Sequence, residues 1–350
     1  MNHYLDKAPT SRLINEDHDL LYFGGTSYLG LQTNHKFQEL LIRNIHDLGT
    51  NWGASRKSNI RLSVYENFEL YISQKAGSEA ALCVSSGYMA GQMLTRYFSG
   101  SGYELFCAPN THPALIREKS RLFQNYKELE MSLRKSLASD RNQIVLFLDT
   151  VDFSGANYPD FEAIKKLPLK DVVLVADDSH GFGLIGDDGY GSYSLLKELQ
   201  VKELIVCGSL GKALATPCGA ILGKEGRISQ LQEIDFFAGG SPPSPAALKT
   251  LIEAEEICDI QRQNVRRNIQ SFLESVTAEF EMISMAGHPV FGYNNECLTD
   301  YLFQKEILTT NFRYPLKTSP LVSKIVLNAE HTPKDILELT EAINSYFQKP

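Results

Sequence analysis

An acid and an amine stand at the ends of two predicted strands near the middle of this chain. Asp177 directly follows the apolar run 172–176, and Lys212 follows the run 204–207 within a loop of small residues. Open α/β sheets bind their ligands at the carboxyl ends of strands, so these two side chains can face each other across one crevice. Pyridoxal phosphate (PLP) chemistry uses such a pair, because the lysine binds the cofactor covalently and the acid keeps the pyridine nitrogen protonated.

Each of the two residues also has an ordinary structural interpretation. A single lysine is usually a solvated surface residue, and a single aspartate after a strand usually caps a helix. A third feature favours a cofactor site, because the segment Ser86-Gly87-Tyr88 follows the predicted strand 80–84 and opens a helical stretch. A helix N-terminus offers unpaired backbone N–H groups and a positive dipole end, which suit a phosphate.

Two histidines lie beside the same predicted strand ends. His112 follows the run 105–108, where its imidazole could stack on a cofactor ring or cap a helix. His180 comes three residues after Asp177, where it could hydrogen-bond a ring oxygen. An Asp-x-x-His pair also occurs in metal sites, but the sequence has no third ligand at a suitable spacing, so we predict no metal.

Two glycine-rich segments partly resemble nucleotide-binding motifs. Residues 181–186 match G-x-G-x-x-G, but four residues separate them from the preceding strand and turn residues follow them, so a glycine loop is favoured over a dinucleotide site. Residues 208–212 resemble a Walker A loop without its first glycine and its final Ser or Thr.

The composition is that of a folded protein with small-molecule ligands. The 350 residues are 43% hydrophobic and 22% charged, which excludes disordered and fibrous classes. A net charge of −8 disfavours binding to nucleic acid or to an acidic membrane surface. We find no apolar run that could cross a bilayer, no signal-peptide pattern and no C-x-x-C among six cysteines. We therefore predict a cytoplasmic protein without disulfides, a nucleic-acid partner or a membrane partner.

Strand-length apolar runs alternate with helical stretches over the first two thirds of the chain. The runs are 80–84, 105–108, 144–148, 172–176, 204–207 and 219–222, and the helical stretches are 112–123, 126–137, 161–167 and 194–199. This alternation predicts an α/β fold with a mostly parallel central sheet and helices on both faces. The last two runs are too close for a crossover helix, so one strand is expected to be antiparallel.

The last third predicts a smaller α+β domain. We expect a long connector helix over 245–280, a helix near 298–308, a strand near 324–327 and a final helix that opens at Thr332. The predicted domains are an N-terminal segment associated with the small domain (1–35), a large cofactor-binding domain (36–244), and the connector helix with the small domain (245–350).

An ordered set of motifs resembles the α-oxoamine synthase family of fold type I PLP enzymes. The matching segments, in family order, are Ser27-Tyr28-Leu29-Gly30-Leu31, Ser85-Ser86-Gly87-Tyr88, His112-Pro113-Ala114-Leu115, Asp177-Asp178-Ser179-His180-Gly181, Ser209-Leu210-Gly211-Lys212-Ala213-Leu214 and Ala329-Glu330-His331-Thr332-Pro333. They span residues 27–333, and the ordered set is far more specific than any one member.

The resemblance implies a role for each matched residue. Lys212 is similar to the lysine that binds the cofactor, Asp177 to the partner of the pyridine nitrogen, His112 to the stacking histidine and His180 to the histidine that bonds the ring oxygen. The phosphate cradle would consist of Ser86, Gly87, Tyr88 and Ser209. The family condenses a small amino acid, such as alanine or glycine, with an acyl-CoA thioester, and it works as a homodimer with active sites at the subunit interface.

The residues expected to bind the amino-acid substrate depart from the family pattern. Thr26 or Ser27 stands where the family has an asparagine, and Lys324 stands where it has an arginine. A lysine provides a point charge where an arginine provides a planar fork for a carboxylate. Two alternatives therefore stay open: another fold type I PLP enzyme, such as an aminotransferase with the same Lys212 and Asp177, or a PLP-binding protein that has lost turnover.

Overall fold

The computed structural model describes residues 5–14, 19–139, 142–186, 188–313 and 316–348. Each of the three predicted domains also includes a few residues outside these ranges, namely 1–4, 15–18, 140–141, 187, 314–315 and 349–350. The strands are β1 (Arg12–Ile14), β2 (Asp19–Phe23), β3 (Ala80–Val84), β4 (Tyr103–Cys107), β5 (Arg121–Leu122), β6 (Gln143–Asp149), β7 (Val173–Asp177), β8 (Glu203–Ser209), β9 (Gly219–Gly223), β10 (Met282–Ser284), β11 (Val290–Tyr293), β12 (Ile307–Arg313) and β13 (Leu321–Val326).

The α-helices are α1 (His35–Leu48), α2 (Ser63–Ala76), α3 (Gly87–Tyr97), α4 (Tyr126–Leu137), α5 (Glu162–Lys165), α6 (Tyr193–Lys197), α7 (Glu225–Gln232), α8 (Asp235–Gly239), α9 (Pro245–Glu253), α10 (Glu255–Ser275), α11 (Glu296–Gln304) and α12 (Pro333–Phe347). Short 3₁₀ turns lie at Leu31–Thr33 and Pro113–Leu115.

The chain divides into two compact units, and the larger one, Glu39–Glu255, contains a seven-stranded sheet. Its strand order is β3-β9-β8-β7-β6-β4-β5. All neighbouring pairs run parallel except those made by β9, which is antiparallel to both β8 and β3. The central strands are apolar without interruption because both faces of the sheet are covered. The predicted α/β fold and its antiparallel strand are confirmed.

The smaller unit, Met1–Gln38 with Glu256–Pro350, contains a six-stranded sheet in the order β1-β2-β12-β13-β11-β10. Only the β2 and β12 pair is parallel among these described strands. Helix α12 begins as predicted, with a capping box between Thr332 and Asp335 and a proline at its first position. The predicted domain boundaries at 35/36 and 244/245 stay a prediction.

Three predicted elements differ from the structure. The predicted helix 112–123 does not form: Pro113–Leu115 make a 3₁₀ turn, and Arg121–Leu122 pair with β4 as a short edge strand. The predicted helix 245–280 is two helices, since Ala254 leaves the helical region at φ −94° and ψ 14°. The helix predicted near 298–308 ends at Gln304, because Glu306 has a left-handed φ of 61° and turns the chain into β12.

Candidate active site

Two acids end neighbouring parallel strands of the seven-stranded sheet. Asp177 ends β7 and Asp149 ends β6, and they are partners in the strand register. Because each strand is apolar up to its last residue, these carboxyl groups are the first polar side chains at the carboxyl edge of the sheet. Asp177 is buried, and its Oδ1 accepts a hydrogen bond from the N–H of Ser179 at 2.8 Å.

Lys212 lies in the loop that joins β8 to β9. Backbone hydrogen bonds close this loop, from Leu210 N–H to the Cys218 carbonyl at 2.9 Å and from Thr216 N–H to the Leu210 carbonyl at 3.1 Å. The Lys212 amine lies 2.9 Å from His180 Nε2. Burial lowers the pKa of Lys212 below its usual value, although Asp177 and Asp149 act in the opposite direction. A larger fraction of this amine is therefore uncharged and nucleophilic at neutral pH.

His180 is held between Lys212 and an aromatic ring. The Phe153 ring packs edge-on against the His180 imidazole, with 4.6 Å between ring centroids. Phe153 has a φ of 57°, a left-handed conformation that is unusual for a bulky residue and costs on the order of 1–2 kcal/mol. The surrounding loop therefore enforces this contact at the expense of backbone strain.

His112 is anchored by its backbone and by its ring. Its N–H donates to Asp149 Oδ1 at 2.9 Å, and its Nδ1 accepts from Ala114 N–H at 3.1 Å, so the histidine caps the following 3₁₀ turn. Burial lowers the pKa of His112, while Asp177 raises it and Lys212 lowers it. The imidazole is therefore neutral at pH 7, with its proton on Nε2. The capping role is present; the stacking role stays a prediction.

The N-terminus of α3 packs directly against the end of β8. Ser86 caps this helix, accepting the Met89 N–H at 3.1 Å. A Cβ on Gly87 would lie 2.6 Å from the Ser209 Cβ, and a Cβ on Gly219 would lie 2.1 Å from the Ser86 carbonyl oxygen. Only glycines permit this close approach, which brings the free N–H groups of the first helical turn beside the Ser209 hydroxyl.

The structure thus brings together the predicted phosphate-binding residues. Tyr88 is 60% exposed and lies in the first turn of α3, and its part in binding a phosphate stays a prediction. Hydroxyl groups, helix N–H donors, an amine with lowered pKa and a carboxyl group form a donor set that fits the phosphate, aldehyde and ring nitrogen of PLP.

Thr26, Ser27 and Lys324 belong to the smaller unit. Lys324 lies in β13, where it pairs with Thr310 of β12 and Gly292 of β11. A Cβ on Gly24 would lie 3.0 Å from Thr310 Oγ1, so the loop that carries Thr26 and Ser27 starts beside the register partner of Lys324. The two sequence segments predicted to bind the substrate carboxylate therefore share one region of the six-stranded sheet.

Sequence reasoning missed Asp149, Asp178 and Phe153. Asp149 follows an uninterrupted apolar run just as Asp177 does, so the same signal could have found it. Asp178 is fully buried and accepts hydrogen bonds from the Thr150 hydroxyl and from the Ser192 N–H, the latter at 2.6 Å. No sequence signal marks a phenylalanine with a left-handed backbone. Within the described ranges, no group of three or more His, Cys, Asp or Glu side chains could hold a metal ion.

Comparisons with known proteins identify the family and the fold of this chain. A family model described as aminotransferase class I and II matches residues 27–343. The 8-amino-7-oxononanoate synthases of Hahella chejuensis and Azoarcus sp. are 25% and 27% identical, over 98% and 95% of this chain and 91% and 90% of theirs. Among solved structures, Sphingomonas wittichii serine palmitoyltransferase superposes with a TM-score of 0.81 at 16% identity, covering 98% of this chain and 91% of that one. The 8-amino-7-oxononanoate synthase of Francisella tularensis gives 0.70 at 21% identity, with coverage of 93% and 97%.

The fold and the site define a fold type I PLP-dependent transferase. The chain belongs to the aminotransferase class I and II family. The resemblance to α-oxoamine synthases is confirmed, and with it an enzyme of the PLP-dependent acyltransferase type. In the described part of the chain, no helix is both long enough and apolar enough to span a membrane.

Proposed function

We propose that this enzyme condenses a small amino acid, alanine or glycine, with an acyl-CoA thioester, in the manner of an 8-amino-7-oxononanoate synthase. The observation that carries the proposal is the partly buried Lys212 amine, which lies 2.9 Å from His180 Nε2 and within the field of two strand-end acids. Its lowered pKa suits an amine that must both bind a carbonyl and accept a proton. Relatives named for this synthesis align over more than nine tenths of the chain.

The residues of the larger unit would hold and tune the cofactor. Bound PLP supplies an electron sink that stabilises negative charge on the α-carbon of an amino acid. Asp177 would hold a proton at the pyridine nitrogen, His112 would cover one face of the ring, and His180 would donate to the ring oxygen. The phosphate would be bound by Ser86, Gly87, Tyr88 and Ser209.

Lys212 would also carry the proton transfer of the reaction. In the condensation, the Lys212 amine would accept the proton from the α-carbon of the amino acid, and that carbon would form its new bond to the thioester carbonyl while coenzyme A leaves as the thiol. Because its pKa is lowered by burial, a larger fraction of this amine is uncharged and able to accept a proton at neutral pH. The neighbouring His180 orients that amine.

The smaller unit would recognise the carboxylate of the amino acid. Lys324 would supply the positive charge, with Thr26 or Ser27 adding a hydroxyl donor. Because an ammonium is a compact and strongly hydrated charge, it accepts a wider range of carboxylate orientations than a guanidinium fork does.

A thiol-release screen tests the condensation. Purified protein with PLP is incubated with alanine, glycine or serine and with acyl-CoA of several chain lengths, and free coenzyme A is measured with a thiol reagent. We expect stoichiometric thiol in the presence of one amino acid and one thioester, and none with Lys212→Ala. Because Cys297 is exposed and reacts with the reagent, a reaction without amino acid gives the background.

The same screen separates the two alternatives. Keto-acid formation without thiol release would identify an aminotransferase that uses the same Lys212 and Asp177. Cofactor absorbance that responds to no small amino acid would identify a binding protein without turnover.

We also propose that the enzyme is a cytoplasmic homodimer. The support is the resemblance to a family whose active sites lie at a subunit interface. Sedimentation of the PLP-loaded protein should give twice the chain mass of 39.2 kDa, and a monomer that retains full thiol release would contradict the dimer.

A further inference from the structure

Asp149 holds the backbone beside the proposed cofactor site. Its Oδ1 accepts the N–H of His112 at 2.9 Å, and its carbonyl accepts from Asn157 Nδ2 at 2.6 Å. It is partly buried, and it ends β6 at the level where Asp177 ends β7. Asp149 therefore joins the strand ends to the segment that carries the predicted stacking histidine.

Two carboxyl groups at one level of adjacent strands are close neighbours. Parallel strands lie about 4.8 Å apart, and register partners point to the same face. Two negative charges on neighbouring strand ends repel each other, and this repulsion favours a proton on one of the two carboxyl groups. Burial raises the pKa of Asp149 well above its usual value; Asp177 and Asp152 add to this, while Lys212 and the His112 N–H oppose it.

We propose that Asp149 is a positioning residue that works as an uncharged acid, holding the His112 backbone and imidazole at the site while Asp177 carries the single negative charge. A protonated carboxyl keeps one oxygen as an acceptor, which is the oxygen that the His112 N–H requires. This role depends on the proposed cofactor site at Lys212, but not on the identity of the substrates.

Asparagine is a close mimic of a protonated aspartate, since it presents one acceptor oxygen and one donor group in the same shape. Asp149→Asn should therefore bind PLP within about two-fold of the wild-type protein, and the pH midpoint of the bound cofactor's visible absorbance should not move. Asp149→Leu removes the acceptor, and loss of the hydrogen bond to the partly buried His112 N–H should weaken PLP binding about ten-fold. Asp171→Asn, at an exposed position before β7, is the control for the loss of one charge.

The experiment measures PLP affinity by titration of the apo protein and the absorbance midpoint by pH titration of the PLP-loaded protein. If Asp149 is ionised, its conversion to asparagine removes a negative charge near Lys212 and lowers the midpoint by a unit or more, which overturns the proposal. Wild-type affinity in Asp149→Leu also overturns it. If the leucine variant does not fold, the midpoint of Asp149→Asn alone decides. Borohydride labelling of Lys212 in the wild-type protein tests the cofactor site separately.

Discussion

Ionisation of Asp178 should make the free energy of unfolding depend on pH, and the substitution Asp178→Asn should remove this contribution. The side chain is fully buried next to Asp177, and burial raises its pKa from the ordinary 3.8 to about 6, against the hydrogen bonds donated by Thr150 and Ser192. Asp178→Asn abolishes this titration and keeps the shape of the side chain.

The sign follows from the direction of the shift. Because the folded protein holds this proton more tightly than the unfolded chain does, the stability due to Asp178 is fully present below pH 3.8 and is lost as the pH rises through about 6. The difference of about two pKa units corresponds to about 3 kcal/mol in total. Roughly half of that loss falls between pH 5 and pH 8.

The asparagine can satisfy the same partners. Its amide oxygen can accept the Ser192 N–H, and its amide N–H can donate to Thr150 Oγ1. The Thr150 hydroxyl can then donate to the Asp177 carbonyl, which already lies 3.2 Å away. The substitution is therefore expected to remove an ionisation without leaving a buried polar atom unpaired.

Urea unfolding at pH 5, 6, 7 and 8 tests this prediction on cofactor-free wild-type protein, Asp178→Asn and the surface control Asp171→Asn. The free energy of unfolding of Asp178→Asn, relative to the wild type, should increase by about 1.5 kcal/mol from pH 5 to pH 8. The same difference should be much smaller for the control. A difference for Asp178→Asn that is constant or falls with pH would refute the reasoning.

Three further substitutions give distinct readouts. Lys212→Ala should abolish the visible absorbance of PLP-loaded protein, and borohydride followed by peptide mapping should label Lys212 in the wild type and no peptide in the variant; a label on another lysine would contradict the assignment. Lys324→Arg should tighten alanine binding up to about ten-fold by adding a second hydrogen bond to the carboxylate, measured by absorbance titration, and an unchanged dissociation constant would place Lys324 outside the substrate site. Gly219→Ala should destabilise the fold by about 2–3 kcal/mol in urea, because its Cβ would lie 2.1 Å from the Ser86 carbonyl oxygen. The control Gly226→Ala, at an exposed position of α7 where a Cβ meets open space, should stabilise the fold slightly. Equal effects of the two substitutions would contradict the steric argument.

The sequence best predicts the strands that are buried on both faces of the sheet. Strands β6 and β7 are buried on both faces, so their apolar runs match the structure to within one or two residues. Helix α4 is recovered over 126–137 because Asn125 caps it and charged residues cover its outer face. The helix predicted over 112–123 is wrong, and part of the reason is that Arg121–Leu122 pair with β4, a tertiary contact that local periodicity does not encode.

The same distinction holds for the candidate site. The sequence identifies Asp177 because it directly follows the buried run 172–176. It identifies Lys212 because this lysine lies in the glycine-containing loop that follows the run 204–207. Asp149 carries the same signal, but its acid stands alone without a neighbouring motif. The left-handed backbone of Phe153 and its contact with His180 depend on how the whole loop packs, which no local pattern determines.

The parallel pairing of β2 with β12 has a consequence for biosynthesis. Leu21 is the register partner of Ile307, so nearly three hundred residues of nascent chain must leave the ribosome before this ladder can close. The larger unit is one continuous stretch and can fold as soon as it emerges, because domains generally fold as units during synthesis. One edge of strand β2 therefore stays unpaired until translation is nearly finished. Chains that are truncated before β12 keep this edge exposed, where it can pair with other chains and aggregate.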